Sequence, residues 1–368
     1  MTEYKSRGFW RDVTLASVVR AHARDTPDSL AFVSDYGQLT WAGYDSASDE
    51  FAKALVASGF EPGDRLAVWM TDSASIHTTF LGAEKAGVVV IGIGARAGDR
   101  ELAHLIDRSD VRGLATLATH RGSSSTETVS RLREAGVAVG RHLEIPIVEL
   151  EPNGRITVDS ELIDATGIDL AGRTMGPDEV FLINSTSGTT GLPKCVVHYQ
   201  NRWTYFHQLA ARNGELTSDD IFYCAVPAPF GFGIWTSHFT PTLLGARSVI
   251  GDSFSSRKAL ELIERERVTV LCCVSTQFAM MMNDPGWSTA DLSSLRIMFT
   301  GGEAIPYERA VAFEEQTGCV ILQFFGSNET GVLSATSVSD SQERRLRTAG
   351  HVVPEMQVRL YDGNRDVT

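Results

Sequence analysis

The chain reads as an α/β protein, and three observations predict that class. Short apolar runs alternate with amphipathic stretches along the 368 residues, as strands and helices do when they succeed each other in layers. A run rich in serine, threonine and glycine lies between two apolar segments, Val180-Phe181-Leu182-Ile183 before it and Val196-Val197 after it. The composition, 43% hydrophobic and 21% charged, suits a globular chain able to bury a large core.

The elements follow in order. Residues 65–70 and 88–93 read as buried strands with a helix between them. Gly92, Gly94 and Gly98 superficially match a dinucleotide fingerprint, but the last spacing is wrong, and they read as turn glycines. Residues 119–128, rich in serine and threonine, read as a loop. From 151 to 179, glycines and prolines punctuate a polar stretch that reads as a joint between two halves, 1–175 and 176–368. Beyond the serine-threonine-glycine run, a helical pattern begins near Asn201. Strands are expected at 221–226, 269–274, 296–299 and 320–324, and helices at 258–267 and 307–317.

Several function classes are excluded by composition. A net charge of −13 argues against a nucleic-acid partner. No apolar run is long enough to span a bilayer, and Met1-Thr2-Glu3-Tyr4-Lys5 lacks the apolar stretch of a secretory signal. Five cysteines (Cys195, Cys224, Cys272, Cys273, Cys319) show no metal-ligand spacing and read as reduced packing residues. Adjacent Cys272 and Cys273 are expected on opposite faces of a strand. A cytoplasmic location is the expectation.

The run Ser185-Thr186-Ser187-Gly188-Thr189-Thr190-Gly191-Leu192-Pro193-Lys194 carries the chemistry. Glycines let a backbone turn its amides inward, hydroxyls donate to phosphate oxygens, and Lys194 adds a compact positive charge. Together they describe a grip for the phosphates of a nucleotide. A polar surface linker is the bland alternative, but linkers rarely place a lysine after a proline between two apolar strands. The lysine is followed by Cys195 rather than by a serine opening a helix. The loop is therefore strand-loop-strand and not of the Walker type.

This run resembles the phosphate loop of the adenylate-forming superfamily, which comprises acyl-CoA synthetases, peptide-synthetase adenylation domains and luciferases. That loop reads (S/T)-S-G-(S/T)-(S/T)-G-x-P-K-G, and only its last glycine is replaced here, by Cys195. Further blocks resemble the family in the same order. They are Leu39-Thr40-Trp41 with Gly63-Asp64-Arg65, Ala83-Glu84-Lys85-Ala86-Gly87 with Arg100-Glu101-Leu102, and His198 with Asn201. Gly301-Gly302-Glu303-Ala304, Phe325-Gly326-Ser327-Asn328-Glu329, and Ala349-Gly350-His351 with Pro354 and Asp362 complete the series.

The resemblance implies attack of a substrate carboxylate on the α-phosphate of ATP, giving acyl-AMP and pyrophosphate, and then transfer to CoA. The substrate supplies the nucleophile, so the protein must align two anions and hold the leaving group. It implies that Thr186, Ser187, Gly188, Thr189, Thr190, Gly191 and Lys194 hold phosphates. Gly302, Glu303 and Ala304 with Phe324, Phe325, Gly326 and Ser327 would frame the nucleotide, Phe325 stacking on adenine where the family has tyrosine. Glu329 would ligate Mg2+. Asn328 stands where the family usually has threonine, and its amide can donate to the α-phosphate. Lys194, Asn328 and Glu329 are thus the catalytic candidates.

Pro227-Ala228-Pro229-Phe230-Gly231-Phe232-Gly233 resembles the family's acid-pocket block, with Phe230 in place of a histidine. Phe232, Trp235, Ser275, Phe278, Gly301 and Gly326 are further pocket candidates. Such a pocket favours an aliphatic, alicyclic or aromatic acid over an amino acid. The resemblance also implies a C-terminal lid domain, whose motifs do not follow Asp362-Gly363 in this sequence. Three readings stand: an acyl-CoA ligase, an adenylating enzyme that serves a carrier protein, and a non-catalytic or partner-dependent module that binds a nucleotide or acyl-adenylate. A homodimer is a further expectation.

Overall fold

The computed structural model describes residues 2–151, 154–185 and 193–368. Two large sheets dominate it. An eight-stranded sheet runs, edge to edge, through Glu161–Leu162, Thr157–Val158, Arg141–Ile145, Gly113–Leu117, Arg65–Trp69, Val89–Ile93, Val180–Ser185 and Cys195–Tyr199. A nine-stranded sheet runs through His351–Val352, Gly331–Ala335, Val320–Ser327, Ile297–Gly301, Val270–Cys272, Ile221–Cys224, Arg247–Val249, Leu30–Ser34 and Gly37–Thr40. Most inner neighbours pair in parallel, as expected where helices connect successive strands.

Between the sheets lie two helices, Trp41–Ala57 and Ala74–Ala86. Every residue of the second is buried, including Lys85, whose Nζ sits 2.6 Å from both the Asp45 and Asp49 carboxylates. One hydrophobic cluster joins Leu66, Val68, Val90 and Leu182 of the first sheet to Phe32, Phe222, Phe299 and Leu322 of the second. Alternate residues of the same strands face outward. Ala67 and Ile91 pack under Asp99–Ser109 and Ser125–Glu134, while Leu271 and Met298 pack under Ser256–Glu266 and Tyr307–Thr317. The result is helix, sheet, helix, sheet, helix in layers.

Cys272 belongs to the inner cluster and Cys273 to the outer one, so the adjacent cysteines do face opposite ways, and all five are free thiols. The sheets exchange strands across residue 175. The hairpin 30–40 joins the second sheet, and the strands 180–199 join the first.

Two expectations need correction. Residues 119–128 are not a loop throughout: a two-residue hairpin ends at Ser124, and Ser125–Glu134 is helical. The Ser124 hydroxyl caps that helix by accepting from the Glu127 amide, and Val129 and Leu132 bury its inner side. A serine-threonine run here is a cap and a first turn. Gly92 is not a turn glycine, whereas Gly94 does open a turn, its carbonyl accepting from the Ala97 amide at 2.9 Å. Gly92 lies within the strand Val89–Ile93, and neither glycine adopts a positive φ. A Cβ on Gly92 would meet Pro229 at 3.3 Å, and one on Gly94 would meet the Phe230 ring at 2.8 Å. Both give clearance to the loop that carries Phe230. Among the described residues no helix is long and apolar enough to cross a membrane.

Candidate active site

The site forms at the C-terminal ends of strands from both sheets, where parallel α/β sheets ordinarily bind ligands. Val180–Ser185 and Cys195–Tyr199 form an antiparallel pair whose connecting loop is the serine-threonine-glycine run. Thr186, Ser187, Gly188, Thr189, Thr190 and Gly191 lie outside the described residues, so their expected phosphate contacts have no geometry here. The loop's exit is held, with Pro193 O accepting from His104 Nε2 at 3.2 Å. Cys195 opens the second strand opposite Ser185 without a positive φ, so the family's glycine is not required at that position.

Opposite the loop, Val320–Ser327 continues past the expected end at 324, because it pairs antiparallel with Gly331–Ala335. The turn between them presents Ser327, Asn328 and Glu329. Ser327 Oγ and Thr330 Oγ1, 3.0 Å apart, fasten it. Close packing fixes the glycines: a Cβ on Gly326 would fall 1.9 Å from Gly331 O, and one on Gly301 would fall 2.4 Å from Phe324 O.

A cavity of about 600 Å³ opens between these elements. It brings together Lys194, Phe230, Phe232, Trp235, Gly301, Gly302, Phe324, Phe325, Gly326, Ser327, Asn328 and Glu329. A second cavity of about 500 Å³ adjoins it and shares Gly302, Phe324, Phe325 and Gly326. Glu303 and Ala304 line that second space. Phe325 is 56% exposed on the boundary, whereas Phe324 is buried with its ring edge-on to Trp235 at 4.4 Å. The exposed ring is the one free to stack on a planar ligand.

Two pocket candidates lie apart from the cavity. Phe278 is wholly buried in the outer core, packed on Phe313 with ring centres 5.7 Å apart. Ser275 is buried at the start of the same helix, Ser275–Met282. It is the preceding Val274 that lines the cavity. Gln277 holds Val274 there, accepting from its amide at 3.0 Å and donating to Ala225 O at 2.7 Å.

Electrostatics set the charge states. The Glu329 carboxyl is held below the usual range by hydrogen bonding to its own amide and to Ser327, with the charges of Lys194 and Arg202 adding to the effect. It is a carboxylate at neutral pH, beside the cavity. His198 is buried, which pushes it down to about 3, and the neighbouring Arg202 charge acts the same way. It is therefore neutral, and its partners fix its tautomer. Arg202 Nη1 donates to Nδ1 at 3.3 Å, so Nε2 carries the hydrogen and donates to Asn184 Oδ1 at 2.8 Å. Asn184 Nδ2 in turn donates to Asn328 Oδ1 at 3.4 Å, and Asn328 Nδ2 donates to Ser185 O at 3.4 Å. The relay runs one way, from Arg202 through His198 and Asn184 to Asn328, and orients the Asn328 amide.

Asn201, expected beside His198, serves another purpose. It is fully buried, accepts from the Arg11 amide at 2.8 Å and donates to Asp178 at 2.7 Å, tying down the N-terminal segment. The sequence reading missed Arg202, Trp203 and Phe206, which line the cavity from the helix Gln200–Asn213. The spacing of Arg202 and Phe206, four apart, was the available signal. It also missed Asp72, which accepts from the Ala228 amide at 3.1 Å and pins the start of the Phe230 loop.

Comparison with known proteins places this geometry. The sequence profile described as "AMP-binding enzyme" matches residues 19–367. The medium-chain fatty-acid–CoA ligase of Escherichia coli is 27% identical over 98% of this chain and 64% of its own length. The feruloyl-CoA synthase of an Amycolatopsis species is 30% identical over 88% of this chain and 61% of its own. Of solved structures, the anthranilate CoA ligase AuaEII in complex with anthranoyl-AMP superposes with a TM-score of 0.83 at 20% identity, covering 96% of this chain and 67% of that one. The chain thus spans about two thirds of the length of the proteins it matches. With the profile matched over nearly all its residues, the chain belongs to the AMP-binding enzyme family.

Proposed function

We propose that this chain carries the ATP-dependent activation of a hydrophobic or cyclic carboxylic acid as acyl-AMP, in an enzyme that then transfers the acyl group to CoA. The observation that carries the proposal is the pair of adjoining cavities meeting at Phe325 and Gly326, with Lys194, Asn328 and Glu329 around the junction. One space takes the adenosine, against Phe325 and the Gly302-Glu303-Ala304 edge. The other, walled by Phe230, Phe232 and Trp235, takes the acid. The reacting carboxylate and the α-phosphate then meet beside Asn328, whose relay-oriented amide is a hydrogen-bond donor for the charge that develops there.

The donor set fits Mg2+ through one protein ligand. Glu329 is an ionised hard oxygen donor, and among the described residues no group of three or more His, Cys, Asp or Glu gathers to hold a metal alone. The remaining ligands would be phosphate oxygens and water. The ion would offset phosphate charge during attack, and Lys194 contributes a fixed charge to the same end. The names of the relatives, which act on medium-chain fatty, ferulic and anthranilic acids, support an acid pocket of this size and apolarity. They support CoA as the acceptor in the same way.

Acid-dependent ATP–pyrophosphate exchange, run across fatty, alicyclic, aromatic and amino acids, tests the proposal. Exchange with one apolar class, lost in Lys194→Ala and Glu329→Gln, is the expected result. Consumption of free CoA thiol in the presence of that acid identifies the acceptor, and an acyl group accepted only by a carrier protein would redirect the second step. ATP binding with no exchange for any acid would leave a nucleotide-binding module instead.

A further inference from the structure

The loop that walls the main cavity with Phe230 and Phe232 begins Pro227-Ala228-Pro229. Neither proline has a backbone N–H, so Ala228 carries the one amide donor of the three. That donor goes to Asp72, whose Oδ1 accepts it at 3.1 Å and Oδ2 at 3.3 Å. Asp72 lies 156 positions away, between the strand Arg65–Trp69 and the helix Ala74–Ala86. Among the described residues it supplies the one hydrogen bond that reaches 227–230 from outside the 227–234 segment. The turn itself is stiff. The Phe230 amide donates to Pro227 O at 3.1 Å, and a Cβ on Gly233 would stand 2.0 Å from the same oxygen. On its far side the loop is packed rather than bonded, against Gly92 and Gly94. A rigid turn with a single outside handle is set in place by that handle.

A carboxyl is an uneven choice for the task. Asp72 is half-buried, and removal of its carboxyl from water raises it to about 7, against the pull of the Ala228 amide and with the Asp252 charge adding to the rise. No cation offsets this among the described residues, since Lys258 is engaged by Asp35 and Asp252. The strand Ile221–Cys224 faces the carboxyl with Tyr223 and Cys224, and burial pushes both of those groups up, so both stay neutral. An amide side chain would accept from Ala228 without bringing a charge. The carboxylate makes the stronger, charge-assisted bond, and only while it is ionised.

We propose that Asp72 is a positioning residue for the acid, holding Phe230 and Phe232 at the cavity through the Ala228 amide, and that gaining a proton slackens this hold. The inference rests on the ligase reading and adds a determinant of acid affinity outside the cavity wall. Ionised, Asp72 offers two charged oxygens to one donor; protonated, it keeps a neutral carbonyl oxygen. As pH falls through about 7, the walled arrangement loses population and the acid binds less tightly in proportion. The nucleotide space is lined by other residues and is untouched.

Hydrogen exchange on the full chain reads the bond directly, because Ala228 holds the only exchangeable amide of 227–229. Corrected for the intrinsic rate, its protection in the wild type should be about fivefold greater at pH 8 than at pH 6, the difference between a charge-assisted and a neutral hydrogen bond. In Asp72→Asn, a neutral acceptor at either pH, protection should stay level near the wild-type value at pH 6. Asp72→Ala should lose most of it at both, and Asp72→Asn carries the test if that variant does not fold. The KM for octanoate or cinnamate in ATP–pyrophosphate exchange, at saturating ATP, should move in step. It should be about fivefold lower at pH 8 than at pH 6 in the wild type and level in Asp72→Asn, with the KM for ATP within about twofold of wild type at each pH. Both acids are ionised across this range, and Glu329 and His198 keep one charge state through it. Wild-type protection that ignores pH, or protection unchanged in Asp72→Ala, would overturn the proposal. So would an acid KM that does not follow the protection, or a fall in kcat in Asp72→Asn that is the same at both pH values, because either would leave Asp72 a support of the fold only. Absence of exchange with every acid would refute the ligase reading instead, and the protection of the Ala228 amide would still decide whether Asp72 holds the loop.

Discussion

Gly231→Ala isolates the position of Asn328 from the stability of the fold. Gly231 opens the helical segment after Phe230 and has no positive φ, so its backbone accepts any residue. Alanine there should even favour the helix slightly, by at most about 1 kcal/mol. The obstacle is Asn328, whose Oδ1 would stand 2.3 Å from the new Cβ where ordinary contact begins at 3.4 Å. One of the two must move by about 1 Å, and Asn328 is the easier, as the far end of a side chain held by two long hydrogen bonds. Misplacing a reacting group by that distance costs about a hundredfold in rate. The expected result is an unfolding temperature within a few degrees of wild type, together with acid-dependent ATP–pyrophosphate exchange lower by about a hundredfold. Asn328→Ala should lose a similar amount, and the double variant should lose no more than either single one, because both remove the same interaction. Losses that add, or full exchange in Gly231→Ala, would refute the role given to Asn328.

Three other outcomes follow from the same structure. Lys85→Met leaves the Asp45 and Asp49 carboxylates without their buried partner, and should lower the stability from urea unfolding by about 3 kcal/mol; a change under about 1 kcal/mol would show that the pair is dispensable. Burial raises the Glu84 carboxyl to about 7, so the folded state holds its proton where the unfolded chain has released it. Stability should therefore fall as pH rises from about 4.5 to about 7 and level off above, and Glu84→Gln should remove that slope. The expected amplitude is at most about 3 kcal/mol, and an identical slope in the variant would assign it elsewhere. Gly94→Leu should drive the Phe230 ring into the cavity, shifting acid preference toward smaller acids more than it changes ATP affinity; the reverse pattern would misplace the acid pocket.

Much of this molecule was legible in the sequence, and the reasons are physical. The inner strands are continuous apolar runs because both faces of each sheet are covered, so 221–224, 270–272 and 320–324 announce themselves without alternation. The helix 307–317 fits its expected bounds, and a left-handed Gly318 ends it. What failed was whatever depended on a partner distant in sequence. Residues 325–327 belong to their strand only because 331–335 fold back beside them. The hairpin 30–40 is an edge of the second sheet, and nothing local says which sheet it joins. Gly92 reads as a turn glycine until its strand is placed beside Pro229.

The site divides in the same way. The residues proposed to hold the nucleotide stand in short motifs, because a phosphate loop or a strand-end turn is a local structure. The main cavity, proposed to take the acid, is assembled from the 200–213 helix, the 227–235 segment and strand ends, so its members are scattered and come together only in the fold. Phe278 and Trp235 are equally plausible as linings by residue type, yet one faces the outer core and the other the cavity. Arg202 shows the point most clearly. A basic residue in the first turn of a helix ordinarily reads as a solvated surface charge. Its place in the cavity wall comes from His198 taking one of its donors and from Gly331, whose missing side chain lets the guanidinium pack on the backbone, and those two residues lie four positions before it and more than a hundred after it. On the proposed function, nucleotide recognition is therefore a property of segments, whereas acid selectivity is a property of packing, and substitutions that retune the acid should fall outside the motifs that identify the family.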